Sequence, residues 1–163
     1  MNNYEVIISE IKHEAEKTNK MLEKLAHEHF DWKPHTKSMS LIKLATHIAD
    51  LPSWITYTLK LNELDLAGDF KPFQPQSVSD LIEHHNKCVA EAITTLENAP
   101  ADELSKMWVL RHGAHQIFEL PKGVVLRDMC LNHMIHHRGQ LSVYLRLLDI
   151  PVPGIYGPSA DEK

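Results

Sequence analysis

The sequence has few cysteines and no long apolar run, and each absence excludes a class of protein. Two cysteines, Cys88 and Cys130, cannot build a disulfide framework, so we expect reduced thiols and a cytoplasmic protein. No stretch approaches about 18 consecutive apolar residues, which argues against a membrane-spanning helix. The first residues lack a basic segment followed by an apolar one, so we expect no signal peptide.

Positive charge is also scarce. Lys and Arg total 17 against 22 Asp and Glu, which gives a formal net charge of -5. Because nucleic-acid binding needs clustered positive charge to neutralise phosphates, we expect no nucleic-acid partner. Histidine, in contrast, is abundant at 12 residues, which indicates metal or proton chemistry. The length of 163 residues predicts a single domain, residues 1–163, with its own core.

Apolar residues at helical spacing dominate the chain and predict an all-α fold, a four-helix bundle. A short β-hairpin-like segment with a Gly-containing turn is predicted at residues 106–120, before the last helix. Trp54 and Trp108 are expected in the core, and the rigid, apolar tail at residues 153–158 is expected to pack on the bundle. The first two predicted helices span residues 3–29 and residues 38 or 40 to 61, the second with a bend at Pro52. A polar loop is predicted at residues 62–76. The third helix is predicted from residue 77 or 79 to 98, and the last from just after residue 123 to 149.

Three histidines lie on predicted buried faces. His133 and His137 are four residues apart, so their rings lie on one helix face, which the helical spacing makes apolar. His47 lies on the apolar face of the second helix. An apolar core offers imidazole nitrogens no partner, whereas a divalent metal binds them as neutral ligands. We therefore predict a metal site formed by His47, His133 and His137.

Several alternatives remain open at this point. A single histidine on an apolar face is more often a core residue with ordinary hydrogen bonds. Cys130, one turn before His133, is either a fourth ligand or a small core residue, and His112 and His115 could reach the site from the hairpin. Arg138 is expected to be solvated or ion-paired rather than a substrate clamp. The remaining histidines are expected on the surface or in loops: His13, His27, His29, His35, His84 and His85.

Three separated segments resemble the DinB-like superfamily (DinB/YfiT), which is unrelated to the damage-inducible DNA polymerase of similar name. They are His47-Ile48-Ala49-Asp50, the H-x-x-x-H-R-G-Q segment from His133 to Gln140, and the tail from Pro151 to Pro158. The resemblance covers nearly the whole chain. It implies an up-down-down-up bundle, a divalent metal on His47, His133 and His137, and frequent homodimers. The family includes metal-dependent hydrolases and S-transferases that use bacillithiol or glutathione-like thiols, and a mycothiol-dependent isomerase.

The function hypothesis that follows is a metal-dependent enzyme acting on a small molecule. Zinc or nickel on three neutral imidazoles would retain open positions for water or for a low-molecular-weight thiol cosubstrate. No catalytic residue is assigned; Asp50, Glu119 and His136 are the weak general-base candidates. The alternative is a non-catalytic metal-binding or small-ligand-binding bundle. A DNA-damage-related DNA binder is disfavoured by the acidic charge.

Overall fold

The computed structural model describes residues 3–68 and 73–162. The protein is mainly helical, with a small three-stranded sheet. Among the described residues, no helix combines the length and the apolar character needed to cross a membrane. The principal helices are α1 (Asn3–Leu22), α2 (Leu41–Asp50), α3 (Ser53–Lys60), α4 (Val78–Glu97), α5 (Lys122–Val125) and α6 (His133–Leu147).

The first predicted helix is shorter than expected. It ends at Leu22, and a separate 3-10 turn covers His27–His29. The break lies at Ala26, whose extended backbone (φ -125°, ψ 137°) cannot continue a helix. Leu25 and Phe30 on either side are buried, so the chain turns here in order to bury both side chains.

The second and third predicted helices form largely as expected. Pro52 separates α2 from α3, because proline has no backbone N–H to continue the hydrogen-bond ladder. Ser77 caps α4: its hydroxyl oxygen accepts from the backbone N–H of Asp80 at 3.1 Å. The Asp80 carboxylate in turn accepts from the backbone N–H of Gln76 at 2.8 Å, which fixes the entry of the chain into the helix.

The sheet corrects the all-α prediction. The hairpin is confirmed as β2 (Met107–His112) and β3 (His115–Pro121), which pair antiparallel. A third strand, β1 (Glu63–Asp65), pairs parallel with β2 inside the predicted polar loop, whose residues 69–72 lie outside the described part of the chain. Glu-Leu-Asp has little intrinsic strand propensity. This strand forms because β2 offers a free edge and Arg111 pairs with both of its acidic side chains.

The last predicted helix is interrupted. Between α5 and α6, residues Leu126–Asn132 form a π-helix, with hydrogen bonds one residue longer than in an α-helix. The helix ends at Leu147, before Asp149, which adopts a left-handed conformation with φ 57°. The π-helix directly precedes His133 and therefore changes the rotational register of the earlier residues relative to α6.

Two apolar clusters hold these elements together. Trp108 is fully buried in a small cluster under the sheet, as predicted, whereas Trp54 is half-buried and packs against both clusters. Val152 and Ile155 pack against the main core, so the tail docks on the helical core as expected. The main cluster joins α1 to α4, the π-helix and α6 through buried residues that include Leu22, Leu44, Ile48, Ile55, Leu81, Leu96, Leu131 and Leu141.

A buried ion pair ties α6 to α1 and to the tail. Arg138 is 3% exposed and pairs with the Glu14 carboxylate, while its guanidinium also donates to the Thr18 hydroxyl at 3.2 Å. The Tyr156 hydroxyl donates to the same carboxylate at 2.7 Å. Of the two states expected for Arg138, solvated or ion-paired, the structure shows the ion-paired one, and the side chain is buried.

Removing this arginine should destabilise the fold substantially. Arg138→Met leaves the Glu14 carboxylate buried without its main partner, so we expect a loss of about 3 kcal/mol in the free energy of unfolding, measured with urea. Arg127→Met is the matched control, since Arg127 is half-exposed and pairs with Glu10 at the surface. Its loss should be far smaller, and equal losses in the two variants would contradict a structural role for the buried pair.

Candidate metal centre

Two packed helices bring the three predicted histidines together. His47 lies in the last turn of α2, His133 is the first residue of α6, and His137 follows one turn later. The Nε2 atom of His133 lies 2.8 Å from Nε2 of His137 and 3.4 Å from Nε2 of His47. These three histidines form a group whose ligand atoms all lie within 4.8 Å of one another. We call this group the histidine triad.

A hydrogen bond on the far side of the ring sets the tautomer of His137. The side-chain carbonyl of Gln140 accepts from Nδ1 of His137 at 2.7 Å, and the backbone carbonyl of Met129 is a hydrogen-bond partner of the His133 ring. Because a carbonyl oxygen only accepts, the ring proton of His137 lies on Nδ1, the outer nitrogen. The Nε2 atom of His137 therefore directs a lone pair into the triad. An outer hydrogen bond of this kind is typical of metal-ligating histidines.

The surroundings keep these rings neutral. Burial lowers the pKa of His47 to about 4, and repulsion from His137 and His133 acts in the same direction. Burial is also the main cause that lowers the pKa of His133 and of His137. Deprotonated imidazole is the form that binds a metal, so the triad is prepared for a cation at neutral pH without a proton having to leave.

The donor set fits a divalent metal. Nitrogen ligands at about 2.0–2.1 Å from zinc lie roughly 3.3 Å from one another in a tetrahedral site, and closer together in an octahedral site. The separations of 2.8 and 3.4 Å among the Nε2 atoms are of this size. Imidazole nitrogens at such distances need a proton or a cation between them, and a divalent metal would supply that positive charge.

One member of the triad lines an open cavity. His47 borders a cavity of about 650 Å³ together with Asp50, Trp54 and Phe73. Lys43, an exposed residue one turn before His47, lines the same cavity. A small molecule in the cavity can therefore reach His47 from the α2 side.

The structure answers the questions that the sequence left open about further ligands. Within residues 3–68 and 73–162, the group at this site comprises the three histidines alone. Cys130 is buried in the apolar core, which is the second of its two expected readings. His112 and His115 are exposed and pair with each other across the hairpin.

The predicted surface or loop positions of two other histidines were wrong. His85, expected on the surface, is fully buried on α4, with its Nδ1 atom 3.3 Å from the backbone carbonyl of Ala49. His84 is half-buried beside Asp50. The buried face of α4 contains Leu81, His85, Cys88 and Ala92. The prediction for His85 was wrong because histidine was treated as a polar surface residue, whereas here it occupies a position on the buried face of the helix.

The general-base candidates are now located. Asp50 lines the cavity, but its Oδ1 atom lies 2.9 Å from Nε2 of His84. Glu119 is exposed on β3. His136 is exposed, and its Nε2 atom accepts from the Gln140 amide at 3.1 Å. Of the three, Asp50 is the one with access to the cavity.

Comparison with known proteins agrees with this arrangement. The family model described as "DinB family" matches residues 1–163. The chain belongs to the DinB family. The resemblance seen in the three sequence segments is thereby confirmed, and the histidine triad is a feature of this DinB protein that could hold a metal.

Relatives and solved structures support the assignment. The uncharacterized protein YrdA of Bacillus subtilis is 27% identical over 154 residues, which cover 91% of this chain and 85% of YrdA. The DinB-like protein YjoA of the same organism superposes with a TM-score of 0.69 at 22% identity, covering 94% of this chain and 99% of YjoA. A DinB-like protein from Bacillus cereus gives a TM-score of 0.66 at 25% identity, covering 89% and 92% of the two chains. These likenesses establish the fold.

Sequence reasoning missed the outer hydrogen bonds. Gln140 was visible one turn after His137, and that spacing is the signal that could have found it, since residues three apart on a helix are neighbours. The contact with the Met129 carbonyl could not be predicted in this way, because every residue has a backbone carbonyl and the sequence does not distinguish one from another.

Gln140 should tune metal affinity without being a ligand. Gln140→Leu removes the acceptor for Nδ1 of His137, so we expect zinc affinity to fall roughly 10- to 100-fold. Competition with a chromophoric chelator measures this change. Gln140→Glu keeps an accepting oxygen and should retain tight binding. Ser142→Ala on the same helix is the control, and equal affinities in the leucine variant and the control would rule out the proposed role.

Acid should destabilise the metal-free protein over a defined pH range. Unfolding returns histidine to its ordinary pKa of about 6.5, while folded His47 stays neutral until about pH 4. The unfolded state therefore binds protons first, and stability falls as the pH drops from about 6.5 to about 4. Urea unfolding of chelator-treated protein checks this. His47→Gln should reduce the fall and His13→Gln, at an exposed position on α1, should not; the same pH dependence in all three proteins would contradict the assignment.

Proposed function

We propose that this protein is a metal-dependent enzyme in which His47, His133 and His137 hold one divalent cation, zinc or nickel. The observation that carries the proposal is the convergence of three neutral imidazole nitrogens, one of which belongs to His47 in the lining of a cavity. A divalent cation held there supplies Lewis acidity, which lowers the pKa of a water molecule or a thiol that it coordinates. Because all three ligands are neutral, none of them cancels part of the charge.

The reaction class that fits this site is nucleophilic attack on an electrophilic small molecule. Water is the nucleophile in the hydrolase form of the proposal, and a low-molecular-weight thiol is the nucleophile in the S-transferase form. Trp54 and Phe73 offer the substrate an apolar wall. Lys43 offers positive charge to a carboxylate, which glutathione-like thiols carry.

Several residues of the chain orient the triad for metal binding and keep it accessible. Gln140 holds the proton of His137 on Nδ1 and so keeps Nε2 of that ring available, and the Met129 carbonyl is a hydrogen-bond partner of the His133 ring. His47 and Asp50 line the cavity, so this side of α2 is open to reactants.

The alternative is a bundle that binds a metal or a small ligand without catalysis. A structural zinc site is usually closed by four protein ligands, whereas catalytic sites keep a position open. Three grouped histidines in the described part of the chain favour the open, catalytic arrangement.

Quaternary structure and location belong to the same proposal. We propose a homodimer in the cytoplasm, without a nucleic-acid partner. The exposed apolar side chains of Val143 and Leu147, four residues apart on α6, support self-association, since they offer one apolar face.

Metal content tests the proposal directly. We expect protein purified without a metal column to contain zinc or nickel, or to bind either when it is added. His133→Ala should lower the content by one ion per chain, measured by elemental analysis. His115→Ala, an exposed histidine of the hairpin, is the control and should keep it. A His133→Ala variant with unchanged metal content would end the proposal.

Two activity assays separate the reaction classes. Thiol transfer to a chromogenic electrophile and hydrolysis of simple esters or amides are measured with metal-loaded protein and with the His133→Ala variant. Activity in one assay that disappears in the variant assigns the class. A fully metal-loaded protein that is inactive in both assays would favour the non-catalytic alternative.

A further inference from the structure

A second cluster of metal-ligating side chains lies next to the histidine triad. Asp50 at the end of α2 faces His84 and Cys88, which lie one turn apart on α4. The Nε2 atom of His84 is 2.9 Å from Oδ1 of Asp50 and 3.6 Å from Sγ of Cys88. All three ligand atoms lie within 4.8 Å of one another. We call this group the Asp-His-Cys cluster.

Ordinary hydrogen bonding accounts poorly for this arrangement. The single Nε2 atom of His84 faces both the carboxylate and the sulfur, and one N–H can donate well to one of them. Cys88 is 5% exposed, and burial raises its pKa to about 12, so a free thiolate nucleophile is excluded. A metal ion accepts lone pairs from oxygen, nitrogen and sulfur at the same time, so it would give all three side chains a partner.

The sulfur–nitrogen spacing matches such a metal ion. Zinc lies about 2.3 Å from a thiolate sulfur and about 2.0–2.1 Å from an imidazole nitrogen or a carboxylate oxygen. In a tetrahedral site these bonds place sulfur and nitrogen roughly 3.6 Å apart, which is the separation of Cys88 Sγ and His84 Nε2. Asp50 and His84 are about one-fifth exposed, so a hydrated ion can reach them.

We propose that Asp50, His84 and Cys88 form a second divalent-metal site, distinct from the histidine triad and of mixed oxygen, nitrogen and sulfur character. A thiolate ligand selects zinc and similar borderline-soft ions over magnesium or calcium. On loading, the Cys88 thiol transfers its proton to solvent as the sulfur–metal bond forms.

The position of the cluster leaves it open on one side. Asp50 and His84 line a surface cleft of about 750 Å³ with Tyr57 and Phe73, and the Phe73 ring stacks on the His84 imidazole at 4.1 Å between centroids. Asp50 also lines the cavity next to His47, three residues earlier on the same helix. The two sites therefore border one continuous surface of α2, and a ligand in that cavity can contact both.

Cobalt spectroscopy distinguishes the two sites. Co²⁺ bound by thiolate gives a sulfur-to-cobalt charge-transfer band in the near ultraviolet, and a site of three imidazoles gives none. Chelator-treated, reduced full-length protein titrated with CoCl₂ should show this band and bind two ions per chain. Cys88→Ala should lose the band and one ion, while His133→Ala should keep the band and lose the other ion.

Matched variants guard against loss of folding. Cys130→Ala removes the other buried cysteine, which lies outside the cluster, and should keep the band. His84→Gln should weaken cobalt binding at this site, and circular dichroism checks that each variant is folded. No charge-transfer band in the wild-type protein at millimolar Co²⁺, or a band that persists in Cys88→Ala, would overturn the second site. The result is independent of the triad, whose own test is His133→Ala.

Discussion

Three imidazole nitrogens lie so close together that a proton or a cation is needed between them, and the candidate site depends on this constraint. The packing of α2 on α6 imposes it, since His47 and the pair His133 and His137 come from different helices. Repulsion among the rings is offset by the buried leucines and isoleucines that hold these helices together. A cation would remove this repulsion, and its binding is favoured because the ligands are already assembled and neutral.

The surroundings of the triad show how a helical scaffold sets ring chemistry. The π-helix ends directly before His133, and π-helical turns are frequent at functional sites. Within it, the Met129 carbonyl is a hydrogen-bond partner of the His133 ring, while Gln140 holds the outer proton of His137 from the following turn. Arg138, which is buried and follows His137, pairs with Glu14 of α1 and thereby anchors the turn that carries His137.

Helix α2 places two ligand groups along one surface. His47 points toward α6, and Asp50, three residues later, points toward α4, so one short helix borders both the histidine triad and the Asp-His-Cys cluster. Helix α2 ends at Asp50, and Pro52 two residues later interrupts the hydrogen-bond ladder before α3 begins. The cavity on this side combines apolar residues such as Trp54 and Phe73 with a few polar ones, which is typical of small-molecule sites.

The sequence by itself determined the features that depend on local spacing: the helical character of most of the chain, the hairpin, a helix start at residue 77 or 79, and the pairing of His133 with His137 on one face. It also indicated His47, because one apolar stripe per helix is readable from a period of 3.6 residues. Tertiary structure decided the rest. Strand β1 forms only by pairing with a distant strand, His85 occupies a core position that its residue type does not announce, and Asp50 meets Cys88 across two helices. These depend on contacts between residues far apart in the chain, whose energies are absent from any local pattern and arise once the helices have packed.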